Sequence, residues 1–417
     1  MPGFFTWVIQ NRSWREIVGR LADVAFGWCV RAISFVTIRN KRKWLIGNKT
    51  GWADNSKYLM LFLSQDNPEQ IRLIWIGKTA KEVAVVRNLG LEAYCKWSFH
   101  GLYHALTAAV YFFSSDVSDI NYWASGRAIK INMWHGVGLK KLGMKGSALY
   151  NPRDWKTRIF TPHFYDSPTY FVGPSPMMAR HFADCYRLSD AQMLKVGYPR
   201  CDLFQRSEEA IEMHIRRFES AEMQSLCEEF KRYDKVYIYM PTFRDDQRDF
   251  IASAGIDFVR LNALLQKKNY FLLLKFHPAT RVCSMDINGL SNIRLMDKRM
   301  DIYPILVKTD VLITDYSSIY YDYILMRQKG IILFPFDYAE YIGHSRDFAF
   351  DYMTYTPGVK TWNFEELYAL IESDKPLDFP DRDEIIHTFW GDNFDDASAR
   401  IKSAALDKLG CRRAAVG

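Results

Sequence analysis

This 417-residue chain reads as an α/β protein made of two doubly wound domains, on three observations. Short apolar runs of the kind buried on both faces of a parallel sheet alternate with helix-like segments. The alternation comes in two series divided near residue 207. Polar clusters stand at the carboxyl ends of the predicted strands, where open α/β sheets bind ligands. A hydrophobic content of 48% and a charged content of 25% suit a globular chain long enough for two cores.

The first element is a helix. Ser13-Trp-Arg-Glu16 forms a capping box, and Trp14, Ile17, Val18, Leu21, Val24, Ala25 and Trp28 follow at helical spacing. Two readings stand for that stripe. It docks on the protein's own core, or it lies in a membrane interface with its rings dipping in and Arg15, Arg20 and Arg31 facing anionic headgroups. Next come the apolar run Tyr58–Leu63, a strand Ile71–Ile76 ending at Gly77, a helix Lys81–Leu89, and strands Ala109–Phe113, Ala128–Trp134 and Tyr170–Val172. A charged helical stretch, Ser207–Arg232, closes the first series. The second has predicted strands Lys235–Met240, Phe271–Phe276, Ile293–Leu295, Val311–Thr314 and Gly330–Phe334, with helices Phe258–Gln266, Tyr303–Lys308 and Ser318–Arg327 between them. The division is a basic amphipathic segment 1–43, α/β domains at 44–206 and 207–385, and a helical tail 386–417.

Charge is concentrated at one end. Residues 1–45 hold eight basic and two acidic groups, +6 of the overall +7. The near-neutral body argues against a nucleic-acid surface. Seven cysteines with no C-x-x-C spacing argue against a disulfide framework or a zinc site and fit a reducing compartment. Charges interrupt every apolar run near the N-terminus, which argues against a secretory signal and a membrane span.

Five strand-end clusters could carry chemistry. In Trp134-His135-Gly136-Val137-Gly138-Leu139-Lys140-Lys141, His135 could act as a base near neutral pH, Gly136 permits close approach to the backbone, and Lys140 could meet a phosphate. A turn histidine and solvated lysines are the plainer account. In Gly197-Tyr198-Pro199-Arg200-Cys201-Asp202, Arg200 could fork onto phosphate oxygens or pair with Asp202. In Met240-Pro241-Thr242-Phe243-Arg244-Asp245-Asp246, Arg244 is a further candidate for an anionic ligand. The adjacent carboxylates Asp245 and Asp246 would suit Mg²⁺, the one cofactor considered, although such pairs are commonly just solvated. In Lys275-Phe276-His277-Pro278, strand alternation puts Lys275 and His277 on one face. In Asp310-Val-Leu-Ile-Thr314-Asp-Tyr-Ser317-Ser318, a strand passes through a hydroxyl-rich turn into a helix, whose N-terminus would favour phosphate or be an ordinary N-cap. Asp322, four residues past Ser318, could accept a ribose hydroxyl or favour the helix terminus.

Taken in order, these clusters resemble the CDP-glycerol glycerophosphotransferases, the teichoic-acid primase and polymerase enzymes with relatives in capsule synthesis. Gly51-Trp-Ala-Asp54-Asn55-Ser-Lys-Tyr58 and Ala397-Ser-Ala-Arg400-Ile401 fit as well, so the resemblance runs from about residue 44 to 402. It implies a GT-B fold with the active site in a cleft between an acceptor-side domain and a CDP-donor domain. It implies transfer of a polyol phosphate, glycerol phosphate first, from a CDP-polyol to an acceptor hydroxyl, with release of CMP. His135 then resembles the catalytic base and His277 the second essential histidine. Gly136, Lys140, Arg200, Thr242, Arg244, Lys275, Thr314, Ser317, Ser318 and Asp322 resemble substrate contacts. Val137 and Gly138 depart from the family's usual Thr-Pro, and Cys201 from its usual Asn. The implied acceptor, a lipid-linked or glycan precursor at the inner membrane face, gives the basic N-terminus a purpose as a peripheral attachment. The rival readings are a sugar-nucleotide glycosyltransferase or epimerase on the same scaffold, and a non-catalytic nucleotide-binding protein.

Overall fold

A computed structural model describes residues 14–138, 142–143, 155–244, 250–277, 280, 287–298, 300–344, 348–377 and 379–410. Ser13 of the capping box, Leu139–Lys141, Asp245, Asp246 and Pro278 lie outside the described residues. Thirteen strands occur among those described: β1 Asn40–Ile46, β2 Arg72–Gly77, β3 Ala93–Cys95, β4 Ala108–Phe113, β5 Ile129–Asn132, β6 Tyr170–Val172, β7 Met193–Leu194, β8 Lys235–Met240, β9 Tyr270–Leu274, β10 Ile293–Leu295, β11 Val311–Thr314, β12 Gly330–Leu333 and β13 Val359–Lys360. Two compact units result. One comprises residues 1–135, 147–172 and 398–417; the other comprises 136–146 and 173–397.

In the first unit the strands run parallel in the order β3-β2-β1-β4-β5-β6. The central pair β1 and β4 pack Leu45, Tyr111 and Phe113 into a core with Ile74, Ile76 and Ile120. Several elements of this unit carry no assignment from the sequence. β1 opens with exposed Asn40, Lys41 and Arg42, and only its second half is buried. Its polar start disguised it as part of the basic segment, so a boundary at 43 cuts through a strand. The apolar run Tyr58–Leu63 belongs to a helix, Asp54–Gln65, because a short apolar run has no periodicity that separates a buried helix from a strand. The strand β3 and the helix Phe99–Thr107 were not foreseen.

The helix Trp14–Val36 docks on this unit through Gly27, Val30 and Ser34, with Trp28 of the predicted stripe packed on Trp123 at 5.4 Å between ring centroids. Val30 is buried, a Cβ on Gly27 would lie 2.5 Å from the Trp123 ring, and Gly126 N donates to Ser34 Oγ at 3.1 Å. Arg31 does not face outward. Its Nη1 donates to Tyr122 O and Ser125 Oγ, and Asp166 stands 3.7 Å away. Arg39 is likewise bonded to the carbonyls of Ala108 and Ala124, and Lys43 to Thr107 Oγ1. Part of the N-terminal charge is thus structural.

The second unit carries the parallel order β10-β9-β8-β11-β12-β13. Its core joins Tyr237, Tyr239, Leu272, Leu274 and Ile313 to Leu261 and Leu265 of the helix Phe258–Lys268. The stretch predicted as one helix from 207 is two, Glu208–Phe218 and Ala221–Phe230, because Ser220 caps the second by accepting from Met223 N. Parallel pairing puts the carboxyl ends of β9, β8 and β11 side by side, and three of the five clusters with them.

Candidate active site

The first unit supplies His135, two residues after Met133, whose amide bonds Phe113 O at 2.8 Å. Trp134 before it has φ +56°, an uncommon conformation for a bulky residue. Two asparagines hold it there: Asn132 Oδ1 accepts from Trp134 N at 2.9 Å, and buried Asn55 Nδ2 donates to Trp134 O at 2.8 Å. The Trp134 ring packs on Phe171 (centroids 5.6 Å) and on His135 (4.0 Å). His135 Nδ1 lies 2.9 Å from Ser114 O. A carbonyl can only accept, so this contact puts a proton on Nδ1 and leaves Nε2 as the basic nitrogen of the neutral ring. His135 itself is exposed.

Behind that carbonyl, Asp119 Oδ2 accepts from the amides of Ser114 (3.3 Å) and Ser115 (2.9 Å). Burial, with a smaller push from Asp116, drives its carboxyl up to about 7. Asn132 Nδ2 in turn donates to Ser115 O. None of Asn132, Ser114 and Asp119 was singled out from sequence. Their signal is spatial, since they come together only when β4 and β5 pair.

The chain passes into the second unit at Gly136, whose φ is +150°. A Cβ here would stand 3.3 Å from both Arg200 Nη2 and Ser318 Oγ. Glycine is therefore favoured by the backbone angle, and the space for a side chain is tight. Tyr198 Oη donates to Gly136 O at 3.1 Å. Gly197 is as tightly placed, since a Cβ would meet Phe394 O at 2.0 Å. Gly136, Arg200, Ser318 and Asp322 are thus neighbours, although their sequence positions span 136 to 322.

Their roles differ from expectation. Arg200 Nη2 donates to Asp322 Oδ2 at 2.6 Å, and both side chains are buried. Asp202, the alternative partner, accepts from Ala397 N instead, at the start of the helix Ala397–Lys408. Asp322 Oδ2 also accepts from Tyr303 Oη, and the side chain is buried. Arg244 is 1% exposed; its Nε and Nη2 bond Asp337, Nη2 also bonds Asp315 at 2.9 Å, and Nη1 bonds Thr242 O. Burial alone would pull its pKa down, but Asp315 and Asp337 together carry it further up. Lys275 Nζ donates to Asp297 O (2.6 Å) and Met300 O (2.9 Å), and burial lowers its pKa to about 8. Thr314 Oγ1 donates to Met240 O at 2.7 Å, tying β11 to β8. In this structure polar atoms of Arg244, Lys275, Thr314 and Asp322 are bonded to protein, where substrate contacts were anticipated.

The groups left at the carboxyl edge are smaller. Ser317 and Ser318 are half-buried, and Ser318 makes no side-chain cap on the helix after it. That helix is α-helical only over Ile319–Tyr323, shorter than the stretch predicted to Arg327, so its dipole is short as well. Thr242 N donates to Asp315 Oδ1 at 2.8 Å, while its hydroxyl has no hydrogen-bond partner among the described residues. His277 is exposed beside Phe243, ring centroids 5.4 Å apart. It therefore parts company with Lys275, which the alternation rule had put on the same face; β9 ends at Leu274, and the rule lapses with it.

A pocket also opens at the opposite, amino-end edge of the second sheet, among Lys235, Lys329, Arg327, Arg382, Asp310, Asp374 and Asp383. Lys235 pairs with Asp374, Arg327 with Asp383, and Lys329 and Arg382 with backbone carbonyls. Those cations have partners, apart from the buried Nε of Arg382, which has none among the described residues, and no strand-end cluster reaches them. Among the described residues no group of three or more histidine, cysteine or acidic side chains could hold a metal ion.

Comparison with known proteins bears on this geometry. The model of the family described as CDP-glycerol:poly(glycerophosphate) glycerophosphotransferase matches residues 29–394. The teichoic acid ribitol-phosphate primase of Bacillus spizizenii is 28% identical over 335 residues, 78% of this chain and 80% of its own. The teichoic acid glycerol-phosphate transferase of Staphylococcus aureus is 26% identical over 336 residues, 78% of this chain and 81% of its own. The wall teichoic acid polymerase TagF superposes with a TM-score of 0.72 at 20% identity, over 95% of this chain and 97% of that one, and establishes the fold as GT-B-like. Solved forms of TagF include a histidine-to-asparagine variant soaked with CDPG.

Proposed function

The chain belongs to the CDP-glycerol:poly(glycerophosphate) glycerophosphotransferase family, and on that premise we propose how its own residues carry out the transfer. The reaction class is settled by membership: a polyol phosphate passes from a CDP-polyol to an acceptor, as in teichoic acid synthesis. In our reading His135 Nε2 takes the proton of the acceptor hydroxyl. The hydroxyl oxygen bonds to the phosphorus bearing the polyol, and the bond from that phosphorus to the CMP oxygen breaks. The observation that carries this assignment is the Ser114 O contact on Nδ1, which orients the ring and reserves Nε2 for proton transfer. In phosphoryl transfer of this kind positioning and charge stabilisation do most of the work. Ser317, Ser318, Thr242 and His277 are the donor-side contacts, with Arg200 and Arg244 as the buried frame that sets them. Lys140 is a further substrate contact by its place in the motif. The acceptor is a lipid-linked or glycan precursor.

We read the preferred donor as CDP-glycerol. Supplying CDP-glycerol, CDP-ribitol or a UDP-sugar and scoring the nucleotide released tests this. CMP from CDP-glycerol is the expected result. Preferred turnover of CDP-ribitol would move the polyol assignment, and UDP release would replace the mechanism with attack at a sugar carbon.

We also read the protein as peripheral to the cytoplasmic membrane face. Among the described residues no helix is long and apolar enough to cross a membrane. The outer face of the first helix exposes Phe26, Ile33, Phe35 and Val36, and nearby Trp97 and Phe99 are exposed too, with Phe26 and Trp97 rings 6.4 Å apart. Apolar contact thus supports attachment more than charge does, because Arg31, Arg39 and Lys43 are bonded internally. Removing the helix would also strip Val30 from the core, so surface substitution is the cleaner test. The I33S/F35S/V36S variant should move from the membrane to the supernatant fraction; unchanged sedimentation would sink the attachment.

A further inference from the structure

The first unit has a feature that the transfer step does not use. Three adjacent strands each run into a lysine just past their carboxyl end. Gly77 pairs with Cys95, so Lys78 and Lys96 are the next residues on β2 and β3. Ile46 pairs with Trp75, and three residues further on are Lys49 and Lys78. The alignment survives beyond the strands: Lys96 N bonds Gly77 O at 2.9 Å, and Lys78 Nζ bonds Lys49 O at 2.9 Å. In the sheet order β3-β2-β1-β4 the rank leads from Lys96 through Lys78 and Lys49 to the Ser114 turn that holds His135. At about 4.8 Å per strand it spans roughly 10 Å.

Among the described residues none of the three ammonium groups forms an ion pair. Lys49 and Lys78 are exposed, and Lys96 is half-buried with Nζ on Ser118 O. Other lysines of the same unit are paired, Lys130 with Asp166 and Lys402 with Asp66 and Glu69. The nearby carboxylates are engaged elsewhere. Glu82 accepts from Trp75 Nε1 and Lys78 N, Asp116 from Ser118 N, and Asp119 from Ser114 N and Ser115 N. Burial and the charge of Lys78 pull Lys96 down to about 8. A bound anion would offset both by favouring the charged ammonium.

We infer that Lys49, Lys78 and Lys96 form a subsite for the phosphate groups of the acceptor, holding a phosphorylated polyol chain along the carboxyl edge of the first sheet so that its terminal hydroxyl meets His135. The inference rests on the proposed function and names the chemistry that the acceptor must carry.

The test uses the full chain and a synthetic glycerol-phosphate hexamer as probe, with binding followed by calorimetry in the absence of CDP-glycerol. K78Q should weaken the hexamer about three- to tenfold and the triple variant K49Q/K78Q/K96Q about a hundredfold. K78R should bind within about twofold of the parent, and the affinity for CDP should not move. Parental binding by the triple variant, or no hexamer binding by the parent, would overturn the inference. So would equal losses for K78Q and K78R, which would mark a shape role. If the triple variant lost binding to vesicles of anionic phospholipid yet kept the hexamer, the lysines would serve a lipid surface and the inference would fail. Because the binding assay needs no turnover, failure to release CMP would count against the proposed function alone.

Discussion

At the carboxyl edge of the first sheet Lys49, Lys78 and Lys96 stand without carboxylate partners among the described residues, whereas at the same edge of the second sheet Arg200, Arg244 and Lys275 are buried and bonded to protein. The contrast shows that a cation at a strand end is not by itself a ligand contact; what else the fold packs around it decides. Buried beside Asp315 and Asp337, Arg244 is bonded to protein, and in the proposed function the ligand-facing work falls to hydroxyls and a histidine. The same contrast assigns different physics to the two substrates. Exposed charges are screened by salt and neutral hydrogen-bond donors much less so. The acceptor KM should therefore climb with ionic strength between 0.05 and about 0.5 M while the donor KM changes little. Equal salt dependence would erase the distinction.

The largest effects belong to the histidines that face outward on each edge. His135→Ala should cut turnover by about 10²–10⁴, with the acidic, low-pH limb of the pH profile flattened. H277A should act mainly on the donor, raising its KM about tenfold through loss of one charge-assisted contact. Near-normal turnover in H135A would break the assignment of Nε2 as the base, and a change in acceptor KM alone for H277A would move that histidine to the other substrate.

Next in size is the buried framework. Arg244→Met leaves Asp315 and Asp337 facing each other without their counter-charge, a change that typically costs about 3–5 kcal/mol. Urea unfolding should show it as a lower midpoint for the transition of the second unit. If R244M unfolded like the parent while its donor KM rose sharply, Arg244 would be a ligand contact after all, and the contrast between the two edges would weaken.

How much of this was legible in the sequence follows the same line. The two parallel sheets were readable because buried strands such as Phe271–Leu274 and Val311–Thr314 are continuous apolar runs that end in turn residues. β1 was not, since Asn40 to Arg42 are exposed and polar. The strand-end clusters were readable, and the fold brings Gly136, Arg200, Ser318 and Asp322 together. Which members touch ligand was not readable. That depends on Asp337, Tyr303 and the carbonyls of Asp297 and Met300, which sit 93, 19, 22 and 25 residues from the side chains they bind. Local sequence carries no trace of such pairings. The tautomer of His135 likewise depends on Ser114, 21 residues away.

Asp119 offers a pH-dependent test of the first edge. Burial raises its carboxyl to about 7, against about 3.9 in an unfolded chain. Between those values the folded protein keeps a proton that the unfolded chain has released. Its contribution to stability is therefore full below pH ~4, falls as pH rises toward 7, and is flat above. The shift of about three pKa units sets an upper bound of order 4 kcal/mol. Asp119→Asn keeps an oxygen for the Ser115 amide and removes the titration. Its urea midpoint should fall less than the parent's between pH 5 and 8. Parallel slopes would show that the carboxyl does not titrate there and that the turn behind His135 is insensitive to pH.

The smallest effect expected is at Gly136, where the chain leaves the first unit. Alanine there must adopt a φ of +150° and place its methyl 3.3 Å from Arg200 Nη2 and Ser318 Oγ. Backbone strain of this kind costs about 1–3 kcal/mol, and the flexible Ser318 hydroxyl can yield by a few tenths of an ångström more readily than the guanidinium, which Asp322 fixes. Gly136→Ala should thus remain folded and displace Ser318 more than Arg200. The donor KM should rise severalfold while the pH profile set by His135 keeps its shape, since the Ser114 and Asn55 contacts lie on the other side of that peptide bond. A shifted pH profile with an unchanged donor KM would show the reverse coupling, and Gly136 would then belong with the base it follows and not with the donor edge it enters.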